Sequence, residues 1–147
     1  MTGHASEMDK SRGIEVMIDL HSLDHIALAV RDVAASAAWY ADVLGLKRVH
    51  AEVWGDVPTM MSAPNGTMIA LFPARAETGG DAPPPPGGRG PRFLHLAFRT
   101  DRAGFERARE DLAARGIAFH FQDHTVAHSI YFRDPDGHEL EITTYEV

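Results

Sequence analysis

The sequence predicts an α+β fold built from two tandem modules, each with the order strand–helix–strand–strand–strand (βαβββ). The first observation is an internal repeat, because the segment around His25 returns around His95. The second is that each copy continues into a helix-like stretch closed by a glycine, Gly45 or Gly116. The third is that each copy then offers short strand-like segments around an Asn-Gly or Asp-Gly turn. Self-similarity at a fixed spacing indicates a duplicated structural unit.

The composition limits the kind of protein this can be. The chain has 147 residues with 44% hydrophobic content, which suffices for one domain with a buried core, expected over 21–147. It contains no cysteine, so disulfides, iron–sulfur clusters and cysteine nucleophiles are excluded. The net charge of −7 argues against nucleic acid, since phosphate binding needs clustered positive charge. A small molecule is therefore the expected partner.

The two segments outside the repeated modules are predicted to be unstructured. Residues 1–20 are expected to form a tail: residues 1–15 are polar, without the apolar core of a signal peptide, and Met17 offers an alternative start. No apolar stretch approaches the roughly 20 residues of a membrane span, so we expect a soluble cytoplasmic protein without a membrane partner. Residues 73–91 carry a proline run and several glycines, which predicts a surface linker. A lid over the site is the alternative interpretation. Module one then covers 22–72 and module two 92–145.

The first strand of each module is predicted from strict alternation. Ile26, Leu28 and Val30 lie on one face, and His25 lies on the other beside two alanines. The second copy repeats this alternation, with Leu94, Leu96 and Phe98 opposed to His95 and Ala97. The branched face is expected to pack on a helix, while small residues beside a histidine leave space for a ligand.

The helices and later strands follow from capping and turn residues. Asp32 is predicted to cap a helix that ends at Gly45, and Thr100 or Asp101 a second one that ends at Gly116. The inner residues expected of these helices are Val33, Trp39, Tyr40, Val43 and Leu44 in the first, and Phe105, Ala108 and Leu112 in the second. The later strands are predicted at 47–53, 58–62, 67–72, 117–122, 129–133 and 138–143.

The last strand carries the clearest chemical signal. Glu139, Glu141 and Thr143 are predicted to share one face, and paired carboxylates repel unless a cation or solvent separates them. When the two modules are aligned on their turn glycines, Glu141 falls opposite Ala70. The duplication therefore keeps both histidines but only one carboxylate. Two imidazoles and one carboxylate suit a mononuclear divalent metal site.

The motif DPDGHELEI at 134–142, preceded by SIYF at 129–132, resembles the vicinal oxygen chelate superfamily. That superfamily includes glyoxalase I, extradiol dioxygenases, methylmalonyl-CoA epimerase, fosfomycin resistance enzymes and bleomycin resistance proteins. The likeness extends from about Leu23 to Tyr145 and implies a cup-shaped mixed sheet (the glyoxalase/bleomycin resistance/dioxygenase fold). It implies His25, His95 and Glu141 as ligands of one divalent metal, with Fe(II) or Mn(II) favoured and Zn, Co or Ni compatible.

The residues that depart from the family patterns separate the possible reactions. Ala70 stands where glyoxalase I has a metal-binding glutamate, so the three-ligand pattern resembles extradiol dioxygenases and fosfomycin thiol transferases instead. Tyr131 matches the tyrosine with which ring-cleaving enzymes hydrogen-bond a bound catecholate. Their acid/base histidine would fall at Gln122, and His124 or His128 is the nearest substitute. No Lys or Arg follows Glu141, which weakens the thiol transferase alternative.

We therefore expect an extradiol-type dioxygenase in which Tyr131 hydrogen-bonds the substrate and His124 acts as general base. The alternatives are an antibiotic-binding protein of the bleomycin-resistance type, a glyoxalase-like lyase or isomerase, and a fosfomycin-type thiol transferase. A homodimer is expected because open sheet edges need cover. Whether the modules pair within one chain or between two stays open. The other histidines expected at the solvated surface are His4, His21, His50 and His138.

Overall fold

The computed structural model describes residues 18–74 and 93–147, together with two short backbone segments before them. Those segments, β1 (Met8–Asp9) and β2 (Ile14–Glu15), pair as antiparallel strands. The predicted tail at 1–20 and linker at 73–91 lie largely outside the described residues, so both stay predictions. No helix in the described part of the chain is long and apolar enough to cross a bilayer.

Module one forms a four-stranded mixed sheet with a helix on one face. Its elements are β3 (His25–Val30), α1 (Val33–Leu44), β4 (Lys47–Val49), α2 (Ala51–Trp54), β5 (Thr59–Ser62) and β6 (Met68–Pro73). The strand order is β3-β6-β5-β4, with β3 parallel to β6 and the other pairs antiparallel. The first strand of the module thus lies at an edge of its sheet.

Module two repeats this topology. Its elements are β7 (Leu96–Arg99), α3 (Arg102–Ala114), β8 (His120–Asp123), β9 (His128–Arg133) and β10 (Glu139–Thr144). The strand order is β7-β10-β9-β8, again with the first strand parallel to the last. The predicted α+β fold with two βαβββ modules is confirmed, and the eight strands form two separate four-stranded sheets.

The helix boundaries follow the capping residues closely. The Asp32 side chain accepts a hydrogen bond from the Ala35 backbone, and Asp101 accepts one from Gly104, so each helix starts behind an aspartate. At the other end of α1, Gly45 adopts a left-handed conformation with φ 67°, which a glycine tolerates without strain. Both caps are local features, so the sequence alone reveals them.

Two predicted strands are shorter than expected. The strand predicted at 47–53 ends at Val49, because His50 takes a left-handed conformation and Ala51–Trp54 forms one helical turn. The strand predicted at 117–122 begins only at His120. Its first residue, Ile117, donates its backbone N–H to the Leu112 carbonyl and closes the end of α3 instead.

The helix-facing sides of both sheets share one hydrophobic core. Leu28 and Val30 of module one and Leu140 of module two belong to this cluster, and all are nearly or fully buried. The Trp39 ring of α1 lies 6.5 Å from the Phe132 ring of β9, so the first helix contacts the second module directly. Since the helix-facing sides meet in this core, the opposite sides, which carry the histidines, point outward.

Candidate metal centre

His95 and Glu141 meet on the outward side of the second sheet. Glu141 of β10 pairs in register with Ala97 of β7, and His95 lies two residues earlier on the same side. The His95 Nε2 atom is 3.2 Å from a Glu141 carboxylate oxygen. The Glu141 side chain is only 11% exposed and that of His95 34%. The pair therefore presents one nitrogen and one oxygen donor side by side, with the carboxylate mostly buried and the imidazole partly open to water.

Tyr131 completes this group from the neighbouring strand. It pairs in register with Glu141, and its ring lies edge-on to the His95 ring with 5.5 Å between centroids. Burial raises the pKa of the Tyr131 hydroxyl, and the nearby Glu141 carboxylate raises that pKa further. The hydroxyl therefore keeps its proton at neutral pH and acts as a hydrogen-bond donor.

His124, the predicted general base, lies within hydrogen-bond distance of Tyr131. Its Nε2 atom is 2.9 Å from the Tyr131 hydroxyl oxygen, and its own side chain is exposed. The other candidate, His128, pairs in register with Thr144 and so points to the opposite side of the sheet. It contacts Arg102 there. Of the two histidines left open by the sequence, His124 is the one beside Tyr131.

A further histidine, His120, belongs to the same surface. Its ring stacks on Tyr131 with 4.9 Å between centroids and an angle of 14° between planes. A cavity of about 460 Å³ adjoins this stack, with Arg133 and Glu139 among its lining residues. Sequence reasoning missed His120 because the register between β8 and β9, which brings it opposite Tyr131, depends on the turn between them.

The structure does not bring His25 to the His95–Glu141 pair. Its Nδ1 atom lies 2.7 Å from a carboxylate oxygen of Asp24, and the side chain is 46% exposed. Among residues 18–74 and 93–147, no three histidine or carboxylate side chains gather closely enough to hold a metal. The three-ligand set of His25, His95 and Glu141 therefore stays a prediction, and a single chain assembles two of its members.

Ala70, which aligns with Glu141 in the sequence, also occupies the equivalent position in the structure of module one. Ala70 of β6 pairs with Ala27 on one side and Met60 on the other, as Glu141 pairs with Ala97 and Tyr131. Ala70 is only 1% exposed. In module one, a small apolar residue therefore fills the place of the carboxylate.

Two arginines on this surface, Arg99 and Arg133, were not predicted from the sequence to lie there. Arg99 of β7 pairs with Thr143, so it lies on the same side as His95 and Glu141. The alternation His95, Ala97, Arg99 in the sequence already indicates this placement. The outward side of module two therefore carries more positive charge than was predicted from the residues after Glu141.

His138 does not lie free at the surface as predicted. Its Nδ1 atom is 2.7 Å from a carboxylate oxygen of Asp134, whose side chain is fully buried. The reason is the tight turn at 134–138, in which the same aspartate also accepts the His138 backbone N–H. This histidine is part of the turn's structure and lies outside the candidate centre.

The family model of the Glyoxalase/Bleomycin resistance protein/Dioxygenase superfamily matches residues 22–142. The chain belongs to this superfamily. This confirms the resemblance to the vicinal oxygen chelate proteins, since the match covers both modules.

Relatives within the superfamily differ in their named activities. The chain is 30% identical over 123 residues to "Glutathione transferase FosA" of Serratia marcescens, covering 84% of this chain and 80% of the relative. It is 27% identical over 131 residues to "Metallothiol transferase FosB" of Lysinibacillus sphaericus, covering 85% and 83%. A crystal structure of a glyoxalase/dioxygenase from Nostoc punctiforme is 30% identical, with a TM-score of 0.66 and coverage of 86% and 92%. Superfamily membership thus fixes the fold and leaves the reaction open.

Proposed function

We propose that this chain is a divalent-metal-dependent enzyme whose small substrate binds through two adjacent oxygen atoms. The observation that supports this most strongly is the His95–Glu141 pair at 3.2 Å, with Tyr131 beside it on the same surface. A nitrogen and a carboxylate oxygen are donors that Fe(II), Mn(II), Zn(II), Co(II) and Ni(II) all accept. When bound, the metal would supply Lewis-acid chemistry that favours the deprotonated form of a substrate hydroxyl.

The third ligand in this proposal is His25 of a second copy of the chain. His25 points outward on β3, which is an edge strand of its sheet, and β7 beside His95 is likewise an edge strand. Edge strands carry unpaired backbone groups that favour pairing with another chain. If module one of one copy lies beside module two of the other, each homodimer contains two equivalent sites. This arrangement extends the expectation of a homodimer to a shared site.

Tyr131 and His124 would handle the substrate and its proton. The Tyr131 hydroxyl, protonated at neutral pH, is positioned to donate a hydrogen bond to a substrate oxygen near Glu141. His124 contacts that hydroxyl and is open to water, so it can accept a proton and pass it to solvent. The small side chains of Ala27 and Ala97 leave room beside the histidines for a bound molecule.

The reaction proposed first is extradiol-type dioxygenation of a catechol. The phenol–imidazole pair of Tyr131 and His124 beside two metal donors is what deprotonation and orientation of a catechol require. The second candidate is transfer of a thiol to a small substrate. It is favoured by the similarity to FosA and FosB and by the guanidinium of Arg99 on this surface. Glyoxalase-like isomerisation has less support, because Ala70 offers no carboxylate.

The shared site can be tested by mixing inactive variants. H25A and E141A homodimers should each be inactive, but a heterodimer of the two would rebuild one intact site. Random reassociation should therefore restore about a quarter of wild-type activity and metal content. The matched control mixes H95A with E141A, which both lie in module two and should give no recovery. Equal results for the two mixtures would contradict a site shared between copies.

The two candidate reactions, dioxygenation and thiol transfer, can be distinguished because they consume different co-substrates. Oxygen uptake by Fe(II)- or Mn(II)-loaded protein with a panel of catechols reports ring cleavage. Loss of free thiol in the presence of fosfomycin reports thiol transfer. We expect oxygen uptake that depends on Glu141 and falls at least tenfold in Y131F, because a hydrogen bond to a charged substrate oxygen is lost. Thiol consumption without oxygen uptake would replace the first candidate with the second.

A further inference from the structure

We propose that Arg99 binds an anionic group on the substrate, so that the enzyme prefers vicinal-oxygen compounds carrying a carboxylate or similar anion on a side chain. This inference rests on the proposed function and adds the chemical class of the substrate. It concerns the part of the site surface beyond His95 and Glu141.

The placement of Arg99 follows from strand register. It lies two residues beyond Ala97 on β7 and pairs with Thr143, two residues beyond Glu141 on β10. Paired residues in adjacent strands point to the same side of a sheet. Arg99 therefore shares the outward surface of the metal donors and extends it along the strand direction.

On the outward surface of module two, as far as the structure describes it, Arg99 is the arginine whose guanidinium donates no hydrogen bond to a protein group. Arg31, Arg48 and Arg115 each form a close ion pair with an aspartate. Arg133, on the same surface, donates to the Gly137 carbonyl at 2.7 Å. Arg99 is exposed, and its guanidinium lies over the Tyr145 ring, with 4.6 Å between the guanidinium carbon and the ring centroid. A guanidinium stacked on an aromatic ring keeps its N–H donors free for a planar anion.

The equivalent position in module one carries no charge. There the outward face of β3 ends in Ala29, which pairs with Phe72 of β6. Module one thus offers an apolar surface where module two offers Arg99. In a site built from both modules, the apolar body of a ligand would lie against module one. Its anionic group would lie at Arg99, at the end of module two's strand β7.

The spacing also limits the length of the ligand. Thr143, the partner of Arg99, lies two residues from Glu141, roughly 7 Å between Cα atoms at the rise of an extended strand, and the Arg99 side chain reaches further, to the Tyr145 ring. An anion held by the guanidinium above Tyr145 would therefore lie on the order of 10 Å from the Glu141 carboxylate. A catechol with a short carboxylate-bearing side chain spans such a distance when extended, whereas unsubstituted catechol does not.

The experiment compares two probes that differ only in charge. These are 3-(3,4-dihydroxyphenyl)propanoate and the corresponding neutral amide, titrated calorimetrically into Mn(II)-loaded protein without oxygen. The wild-type protein should bind the acid roughly tenfold more tightly than the amide, because a charge-assisted hydrogen bond is gained. R99Q should bind both probes equally, and R99K should retain part of the preference. The matched control is R107Q, which removes an exposed arginine from α3 and should keep the full preference.

The outcomes separate this inference from the proposed function. Equal binding of acid and amide to the wild-type protein, or a preference that survives in R99Q, would overturn the role of Arg99 while leaving the metal site intact. Failure of both probes to bind metal-loaded protein would contradict the proposed function and the inference together. Thermal melts of R99Q matching those of R107Q show that any loss of preference is not a loss of folding.

Discussion

Tyr40 of module one donates its hydroxyl hydrogen to the buried carboxylate of Asp134 in module two, with 2.8 Å between the oxygens. The same carboxylate group accepts hydrogen bonds from the backbone N–H groups of Asp136 and His138. Burial raises the pKa of Tyr40, and the hydrogen bond to Asp134 raises it further, so the hydroxyl stays protonated. A buried carboxylate with this many donors forms a specific hydrogen-bonded contact between the modules.

Removing that hydroxyl should destabilise the whole chain. We expect Y40F to lower the free energy of unfolding by about 1–3 kcal/mol, because the Asp134 carboxylate loses one donor and cannot recover it from water. Urea denaturation at neutral pH measures this. Y145F serves as the control, since Tyr145 is exposed, and it should change the free energy little. If Y40F and Y145F had the same urea midpoint, the Tyr40–Asp134 hydrogen bond would not contribute to stability.

Acid should weaken a second contact between the modules. Burial raises the pKa of Asp136, but hydrogen bonds from the Arg31 backbone, the Arg31 side chain and Ser36 outweigh it, so the pKa is lowered overall. A carboxyl group with a lowered folded-state pKa stabilises the protein above its unfolded pKa, and that contribution is lost as the pH falls through the folded pKa. We expect D136N to be less stable than wild type at pH 7, with the difference shrinking below about pH 4.

Paired denaturation curves at pH 7 and in acid test this dependence on Asp136. E110Q is the control, because Glu110 is exposed on α3 and the same change of charge there should leave the curves alike. A difference between wild type and D136N that is constant with pH would show that the charge of Asp136 does not matter.

Metal binding should depend on three residues from both modules. We expect about one divalent ion per chain, and substitution of His25, His95 or Glu141 by alanine should each weaken binding by at least about tenfold, since one of three protein donors is lost. Elemental analysis of protein purified without a histidine tag, followed by titration with Mn(II), measures this. H50A is the control, because His50 is exposed beside Trp54. Full metal occupancy in any two of the three variants would contradict the assignment of these residues as metal ligands.

A carboxylate at Ala70 should make stability depend on metal. Ala70 is buried, so A70E places an uncompensated charge in the sheet and should lower the melting temperature of the metal-free protein markedly. Because Ala70 is equivalent to Glu141, added Mn(II) or Zn(II) should restore part of the loss. The neutral A70Q should show no such metal-dependent gain. An A70E protein that no divalent ion rescues would show that position 70 does not face the metal.

The modules could be predicted because local sequence features determine them. The positions of distant residues relative to one another could not be predicted in this way. Asp32 and Asp101 as helix caps, and the alternation after His25, are decided within a few residues. Leu94 was expected on the helix-facing side but is exposed, because β7 begins only at Leu96. The position of His25 relative to Glu141 depends instead on how the two sheets pack, which no short pattern encodes. The Tyr40–Asp134 contact is equally non-local, since it joins residues 94 positions apart. His138 was misjudged for a related reason, because its partner is buried only once the turn has folded.

The shared core turns both histidine-bearing faces of the chain away from each other. If the proposed pairing of copies forms the site, its concentration obeys mass action, and a solitary chain is inert however well it folds. Specific activity would then fall when the enzyme is diluted below the dissociation constant of its dimer. In that range the total activity, not the specific activity, would rise with expression level more steeply than in direct proportion. The cell would set the catalytic capacity of this protein partly through its abundance.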